Sequence, residues 1–312
     1  MKNELSKIKN LIGNTPLVKI KFKYQGKIKN IFAKLEWFNL SGSIKDRPAF
    51  EIISNAYKTG LLCKGQTICE TTSGNMGISI CAIANITKNP VVICMPKYMS
   101  EERKQLLRLY GAKLELADSF ADAFKRADEY QKMGAFLPHQ FENENNAKAQ
   151  QKTAKEILQK LPTPPAFVSG VGTGGTLVGI GGYLKQHAKT KVIAMEPAES
   201  KLLSTGKSLG KHKIQGVGDE SVPKLYNETI VDKIVAVNSD DAICIAQKLC
   251  TSLGLGVGIS AGANFLACVL SGINNCVTVF ADDNKKYLST NLTKNIKSEL
   301  ADQIDLIDYT VL

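Results

Sequence analysis

Ala166-Phe167-Val168-Ser169-Gly170-Val171-Gly172-Thr173-Gly174-Gly175-Thr176 passes from a short apolar run, through a loop of glycines, into a stretch of helical period that continues to His187. A buried strand feeding a helix through a tight glycine turn is half of a parallel crossover unit. The same alternation recurs along the chain. Strands are expected at Ile31 to Leu35, Gln66 to Glu70, Val91 to Met95, Lys113 to Leu116, Ala135 to Leu137, Ala166 to Ser169, Lys191 to Glu196, Lys233 to Val237 and Cys276 to Ala281. Helices are expected at Lys45 to Thr59, Asn75 to Thr87, Ser100 to Tyr110, Ser119 to Met133, Ala147 to Leu161, Thr176 to His187, Ser239 to Leu253 and Ala261 to Ser271. The fold class is therefore α/β, with parallel sheets covered by helices.

The breaker cluster Leu161-Pro162-Thr163-Pro164-Pro165 separates two strand-helix series and puts a boundary between residues 140 and 165. With 312 residues and 44% hydrophobic content, the chain can bury a large core arranged as two sub-domains. No apolar stretch approaches a membrane span, and Met1-Lys2-Asn3-Glu4 is too polar for a signal peptide, so a cytoplasmic protein is expected. The net charge of +11 is spread without a basic block or interleaved aromatic platform, which argues against a nucleic-acid partner. Eight cysteines in mostly apolar contexts, none in a Cys-x-x-Cys pair, read as core residues of a reducing compartment. Three scattered histidines suggest no metal centre.

In a doubly wound sheet, ligands sit beyond the carboxyl ends of strands, which directs attention to three glycine-rich loops. Thr71-Thr72-Ser73-Gly74-Asn75-Met76-Gly77 offers hydroxyls, an amide and free N–H groups at a helix start; it suits a carboxylate or phosphate, or simply caps the helix. The loop Gly170 to Thr176 has two readings. Glycines 170, 172 and 175 fit a dinucleotide fingerprint with Glu196 about 20 residues on; alternatively, Thr173, Thr176 and the backbone amides grip one phosphate. Gly256 to Ala263 opens another helix, where Ser260 can project a hydroxyl.

Lys45 follows the small turn Ser41-Gly42-Ser43 and precedes the apolar Pro48-Ala49-Phe50. A lysine so presented is a candidate Schiff-base former, the bland alternative being a side chain snorkelling over an ordinary helix start decorated by Asp46 and Arg47. A phosphate loop, a presented lysine, an anion loop and a helix-start serine together suggest pyridoxal phosphate, a set more specific than any member.

The chain at this point resembles the cysteine synthase (O-acetylserine sulfhydrylase) and cystathionine β-synthase family of fold type II pyridoxal-phosphate enzymes. The resemblance runs nearly end to end, through Ile12-Gly13-Asn14-Thr15-Pro16-Leu17-Val18, Ser43-Ile44-Lys45-Asp46-Arg47, Thr72-Ser73-Gly74-Asn75, Met95-Pro96 with Met99-Ser100, Tyr110-Gly111-Ala112, Gln140-Phe141-Glu142-Asn143, Gly172 to Thr176, Glu196-Pro197, Ile214-Gln215-Gly216-Val217-Gly218, Gly258-Ile259-Ser260 and Tyr287-Leu288-Ser289-Thr290. It implies two three-layer parallel-sheet domains of the tryptophan synthase β-like kind. Residues 1–43 and 149–312 would form the larger, cofactor-binding domain. Residues 44–148 would form a smaller, mobile one, and two chains a homodimer.

By the same resemblance Lys45 carries the cofactor as an internal aldimine and later moves the substrate α-proton. Asn75 bonds the phenolic oxygen, and Gly172, Thr173, Gly174, Gly175 and Thr176 bind the phosphate. Ser260 faces the pyridine nitrogen. Thr72, Ser73, Gly74, Met76, Gln140 and Gly216 form the substrate site, with Thr72, Ser73 and Gln140 holding the carboxylate. The implied reaction is β-replacement through an α-aminoacrylate: a small amino acid loses its β-group, and sulfide, a thiol or water adds. Cysteine synthase is the first expectation. Reaction on cysteine, serine or phosphoserine, releasing hydrogen sulfide or forming lanthionine or cystathionine, is the second.

Three departures from the family pattern stand out. Met76 replaces a usual threonine hydroxyl, and Ala281 replaces a proline. Asp219-Glu220-Ser221 stands where cysteine synthases read Ala-Gly-Phe or close to it. Two carboxylates near the cleft would disfavour a further anion and favour an ammonium-bearing nucleophile, or act as a base, so Asp219 and Glu220 are specificity candidates.

Overall fold

The computed structural model describes residues 2–208, 210–218 and 221–312, so Asp219 and Glu220 lie outside the described residues. In chain order the strands are β1 (Leu17–Tyr24), β2 (Lys27–Leu35), β3 (Ile68–Thr71), β4 (Val91–Pro96), β5 (Lys113–Ala117), β6 (Ala166–Gly170), β7 (Lys191–Pro197), β8 (Ser200–Lys201), β9 (Lys207–Ser208), β10 (Lys233–Val237), β11 (Cys276–Phe280) and β12 (Ile304–Val311). The helices are α1 (Lys2–Lys9), α2 (Asp46–Thr59), α3 (Asn75–Thr87), α4 (Glu101–Leu109), α5 (Phe120–Lys132), α6 (Glu144–Lys160), α7 (Gly182–Ala188), α8 (Leu202–Thr205), α9 (Ser239–Leu253), α10 (Ile259–Ser271) and α11 (Glu299–Asp302).

Two sheets organise the molecule. The larger has the order β10-β7-β6-β11-β2-β1-β12, and the smaller β3-β4-β5. The smaller sheet is parallel throughout, whereas the larger is parallel only from β10 to β2. β1 pairs antiparallel with both β2 and β12, so the expected parallel sheet carries an antiparallel edge. The reason is visible in Leu17-Val18-Lys19-Ile20-Lys21-Phe22-Lys23: Val18, Ile20 and Phe22 are buried while the lysines between them face outward or lie half-buried. Such alternation marks a half-buried antiparallel strand rather than a continuous apolar run.

Residues 135–137 form no strand; Phe136 makes only an isolated bridge to Ile68. The helix expected from Ala147 starts earlier, at Glu144, because the Asn143 side chain accepts the Asn145 N–H and caps it. The stretch from Thr176 opens with a π-helical turn over Leu177–Gly181, where a Cβ on Gly179 would stand 2.1 Å from the Ala147 carbonyl oxygen. Helix α6 thus packs directly on the turn that carries the glycine loop.

One large core lies between the seven-stranded sheet and α9 and α10, and a second fills its other face with α6, α7 and Leu177. The small sheet has its own core with α2, α3 and α5. In the larger sheet β6 is flanked by β7 on one side and β11 on the other, a reversal that leaves a crevice beyond its carboxyl end.

Candidate active site

The loops after β3 and β6, the segment after β11, the start of α10 and the residues before α2 converge on a cleft of ≈ 870 Å³, counting its solvent-open part. Lys45, Thr72, Ser73, Asn75, Met76, Gln140, Gly172, Thr173, Gly174, Thr176, Gly216 and Ser260 all line it. Gly74 and Gly175 complete the same two loops from within. Ser169, Asn264 and Val279 line its floor, and Phe120 and Phe141 also border it.

Lys45 stands half-buried immediately before α2. Its backbone N–H donates to the Ser43 hydroxyl at 3.2 Å, and the Ile44 N–H donates to the Ala281 carbonyl at 2.8 Å. The two neighbours once readable as decoration are buried. The Asp46 carboxylate accepts the Ser41 N–H at 2.7 Å and the Ser41 hydroxyl at 2.5 Å, tying the turn before Lys45 to the helix after it. Burial pushes the Asp46 carboxyl upward despite those bonds. Arg47 donates to Glu36 at 2.6 and 2.9 Å and to Glu156 at 2.7 and 2.8 Å, while Lys34 meets Glu156 at 2.6 Å. Burial alone would raise the Glu156 carboxyl, but Arg47 and Lys34 hold it down to about 2. Two buried cations against two carboxylates fix α2, β2 and α6 together behind Lys45.

The Thr72 hydroxyl accepts the Gly74 N–H at 3.1 Å, shaping the loop that opens α3. Gly74, at φ +145°, lies against the side chain of Arg103; a Cβ there would stand 2.3 Å from the arginine Cδ, so only glycine fits. Gln140 is held across from this loop. Its side-chain amide donates to the Thr71 carbonyl at 2.8 Å and its N–H to Glu70 at 3.2 Å, and Glu70 also accepts the Thr71 N–H at 2.9 Å. Burial pushes the Glu70 carboxyl up to about 8 despite these bonds. Met76 is buried beside the loop, where it supplies no hydrogen-bond donor.

The glycine loop after β6 is packed without slack. A Cβ on Gly172 would lie 2.3 Å from the Gly216 carbonyl oxygen, one on Gly174 2.9 Å from the Tyr226 nitrogen, and one on Gly175 2.2 Å from the Asn146 side chain. Thr173 accepts the Gly175 N–H at 3.3 Å and the Asn146 amide at 3.0 Å. Glu196 is spent elsewhere: it accepts the Leu203 and Ser204 N–H groups and the Ser204 hydroxyl, which caps α8 and removes the ribose-binding acid of the dinucleotide reading. The Ser260 hydroxyl, in the first turn of α10, makes no hydrogen bond within the described residues.

Arg103, Tyr287 and Asp282 were missed from sequence. Arg103 and Tyr287 line the cleft, and Asp282 is buried behind Asn75. The signal for Arg103 is its position four residues before Leu107, which puts it on the buried face of α4.

The residues present fit pyridoxal phosphate. The Gly172–Thr176 loop presents amides and hydroxyls with no room for a Cβ at its three glycines, and buried polar atoms around the cleft, among them Asn75 Oδ1 and Gln215 Oε1, have no partner among the described residues.

Residues 8–281 match the model of the family "Pyridoxal-phosphate dependent enzyme". The chain is 40% identical to cysteine synthase B of Campylobacter jejuni, over 92% of this chain and 98% of that one. Among solved structures it resembles a hydrogen sulfide-producing enzyme of Fusobacterium nucleatum, with TM-score 0.95 and 41% identity over 100% and 99% of the two chains. It also resembles isoform 3 of the O-acetylserine sulfhydrylase of Entamoeba histolytica, with TM-score 0.86 and 36% identity over 97% and 94%.

Proposed function

The chain belongs to the pyridoxal-phosphate-dependent enzyme family, and from that premise we propose that it performs β-replacement on a three-carbon amino acid as a cysteine synthase, converting O-acetylserine and sulfide to cysteine and acetate. The observation that carries this reading is the convergence of Lys45, the Gly172–Thr176 loop, the Thr72–Asn75 loop and Ser260 on one cleft. When bound, the cofactor supplies an electron sink next to the substrate α-carbon, which lets a β-substituent leave.

The chain's own residues do the rest. Lys45 holds the cofactor and then moves the α-proton. Thr72, Ser73 and Gln140 hold the substrate carboxylate, with Gly74 and Gly216 letting backbone approach and Met76 contributing surface but no donor. Gly172, Thr173, Gly174, Gly175 and Thr176 hold the phosphate. Asn75 donates to the phenolic oxygen. Ser260 would offer a hydroxyl to the pyridine nitrogen, and a hydroxyl would not keep that nitrogen protonated as a carboxylate would, which would suit the site to eliminating a β-group. Asp219 and Glu220 set the preference for the adding nucleophile.

Residues 44–148 move as the smaller domain over the cleft, and two copies form a homodimer. No described helix is long and apolar enough to cross a membrane.

A second reading, release of hydrogen sulfide from cysteine, is favoured by the closer superposition on the Fusobacterium enzyme, TM-score 0.95 against 0.86. One experiment tests both. The holoenzyme is given O-acetylserine, phosphoserine, serine and cysteine in turn, each with sulfide, a thiol amino acid or water, while product and released sulfide are measured. The first reading expects the highest kcat/KM for cysteine formation from O-acetylserine and sulfide. A higher kcat/KM for sulfide release from cysteine establishes the second, and inertness toward all four overturns both.

A further inference from the structure

Behind the cleft, three side chains, from α3, α4 and the segment after β11, meet at one carboxylate. Asp282, in the segment after β11, is 1% exposed. Its Oδ2 accepts the Asn75 amide at 2.7 Å and the Tyr287 hydroxyl at 2.8 Å. The Arg103 guanidinium stands 3.9 Å from the same oxygen and lies over the Tyr287 ring, 4.6 Å from its centroid. Burial and the adjacent Asp282 charge push the Tyr287 phenol upward, so it stays a donor. Arg103 is itself buried, and its Nε and Nη1 have no partner among the described residues, so Asp282 is the anion that balances it.

An ionised carboxylate only accepts. Asp282 therefore decides which way the Asn75 amide faces: the nitrogen turns to Asp282 through one hydrogen, leaving the second N–H and Oδ1, which has no partner among the described residues, for the cleft. The segment also anchors the lysine turn, since Ala281 accepts the Ile44 N–H and the Lys286 ammonium donates to the Gly42 carbonyl at 2.7 Å.

We propose that Asp282, balanced by Arg103, is a positioning residue that fixes the Asn75 amide against the cofactor's phenolic oxygen, so that the ring's tilt and electronics are set before substrate arrives. This rests on the reading that Asn75 contacts the cofactor. Asp282 touches neither cofactor nor substrate and acts through Asn75.

The test is a double-mutant cycle on the holoenzyme with Asp282→Asn and Asn75→Ala, read by the cofactor's visible absorption maximum, its pH titration, and kcat and KM separately. In the native background Asp282→Asn shifts the band or its titration midpoint and lowers kcat about tenfold or more with KM changed less than about threefold. In the Asn75→Ala background the same substitution changes kcat less than about twofold. Equal losses in both backgrounds, or an unshifted band, overturn the proposal. If Asn75→Ala alone leaves band and kcat unchanged, the underlying contact fails instead, and the proposal with it. Should Asp282→Asn not fold, Tyr287→Phe, which removes one donor to the same oxygen and no charge, replaces it in the cycle. A band shift that vanishes with Asn75→Ala supports the proposal, and one that persists refutes it.

Discussion

Replacing Gly172 by alanine adds one methyl group where the structure has no room for it. The new Cβ would stand 2.3 Å from the Gly216 carbonyl oxygen, a backbone atom that cannot rotate away. The φ of Gly172 is not in the left-handed region, so the damage is steric rather than torsional. Restoring an ordinary contact requires the 172 loop and the 216–218 segment to part by roughly 1 Å. The Gly218 N–H donates to the Val171 carbonyl at 2.9 Å across this seam. Stretched by that amount, the bond is lost at a cost of about 1 kcal/mol in stability, and misplacing one amide on the phosphate costs about 1.5–3 kcal/mol in cofactor binding. The second figure corresponds to cofactor binding weaker by on the order of 10- to 10²-fold. Titrating the apoenzyme with pyridoxal phosphate and following absorbance or protein fluorescence measures it. Gly182→Ala is the control, because its nearest neighbour lies 3.8 Å from the added Cβ. Affinity for Gly172→Ala within about threefold of the native value would refute the steric argument.

Arg47→Met leaves Glu36 and Glu156 with only Lys34 opposite them and is expected to destabilise by ~3–5 kcal/mol, roughly 5–8 °C in Tm for a chain of this size; calorimetry decides it. Glu70 titrates near 8 in the folded protein and near 4.5 when unfolded. The unfolded chain therefore gives up its proton first, and the Glu70 contribution falls as pH rises from about 4.5 to 8, by no more than about 5 kcal/mol. Glu70→Gln should flatten the dependence of Tm on pH across that window, and an unchanged slope would contradict the assignment. Met76→Thr restores a hydroxyl beside the carboxylate loop and is expected to lower KM for the amino-acid substrate about three- to tenfold with kcat little changed, corresponding to one hydrogen bond; steady-state kinetics read the split.

Most of the candidate site was legible because its parts are local. A glycine loop between strand and helix, a lysine after a small turn and a serine at a helix start each announce themselves within a few residues, and the fold had only to bring them together. The parallel strands were legible for the same reason, as continuous apolar runs such as Val91-Val92-Ile93-Cys94-Met95. What escaped depends on partners distant in sequence. β1 and β12 pair across most of the chain length, and their alternation of apolar and charged residues, as in Leu17 to Tyr24, resembles a polar surface until the pairing is seen. Asp46, Arg47, Glu36 and Glu156 look like surface charges in sequence, yet Arg47 and Glu36 are buried because each meets the opposite charge on another element, and Asp46 because the Ser41 N–H and hydroxyl bond its carboxylate. Arg103 and Asp282 escaped likewise, being joined across the two sheets rather than along either.

The central claim is that Lys45 carries the cofactor in this cleft. Reducing the holoenzyme with borohydride, digesting it and mapping the modified peptide by mass spectrometry tests it most directly. The account predicts a pyridoxyl-phosphate adduct on Lys45, with the visible band and the adduct both absent from Lys45→Ala. An adduct on any other lysine, or a native band that survives Lys45→Ala, would contradict it.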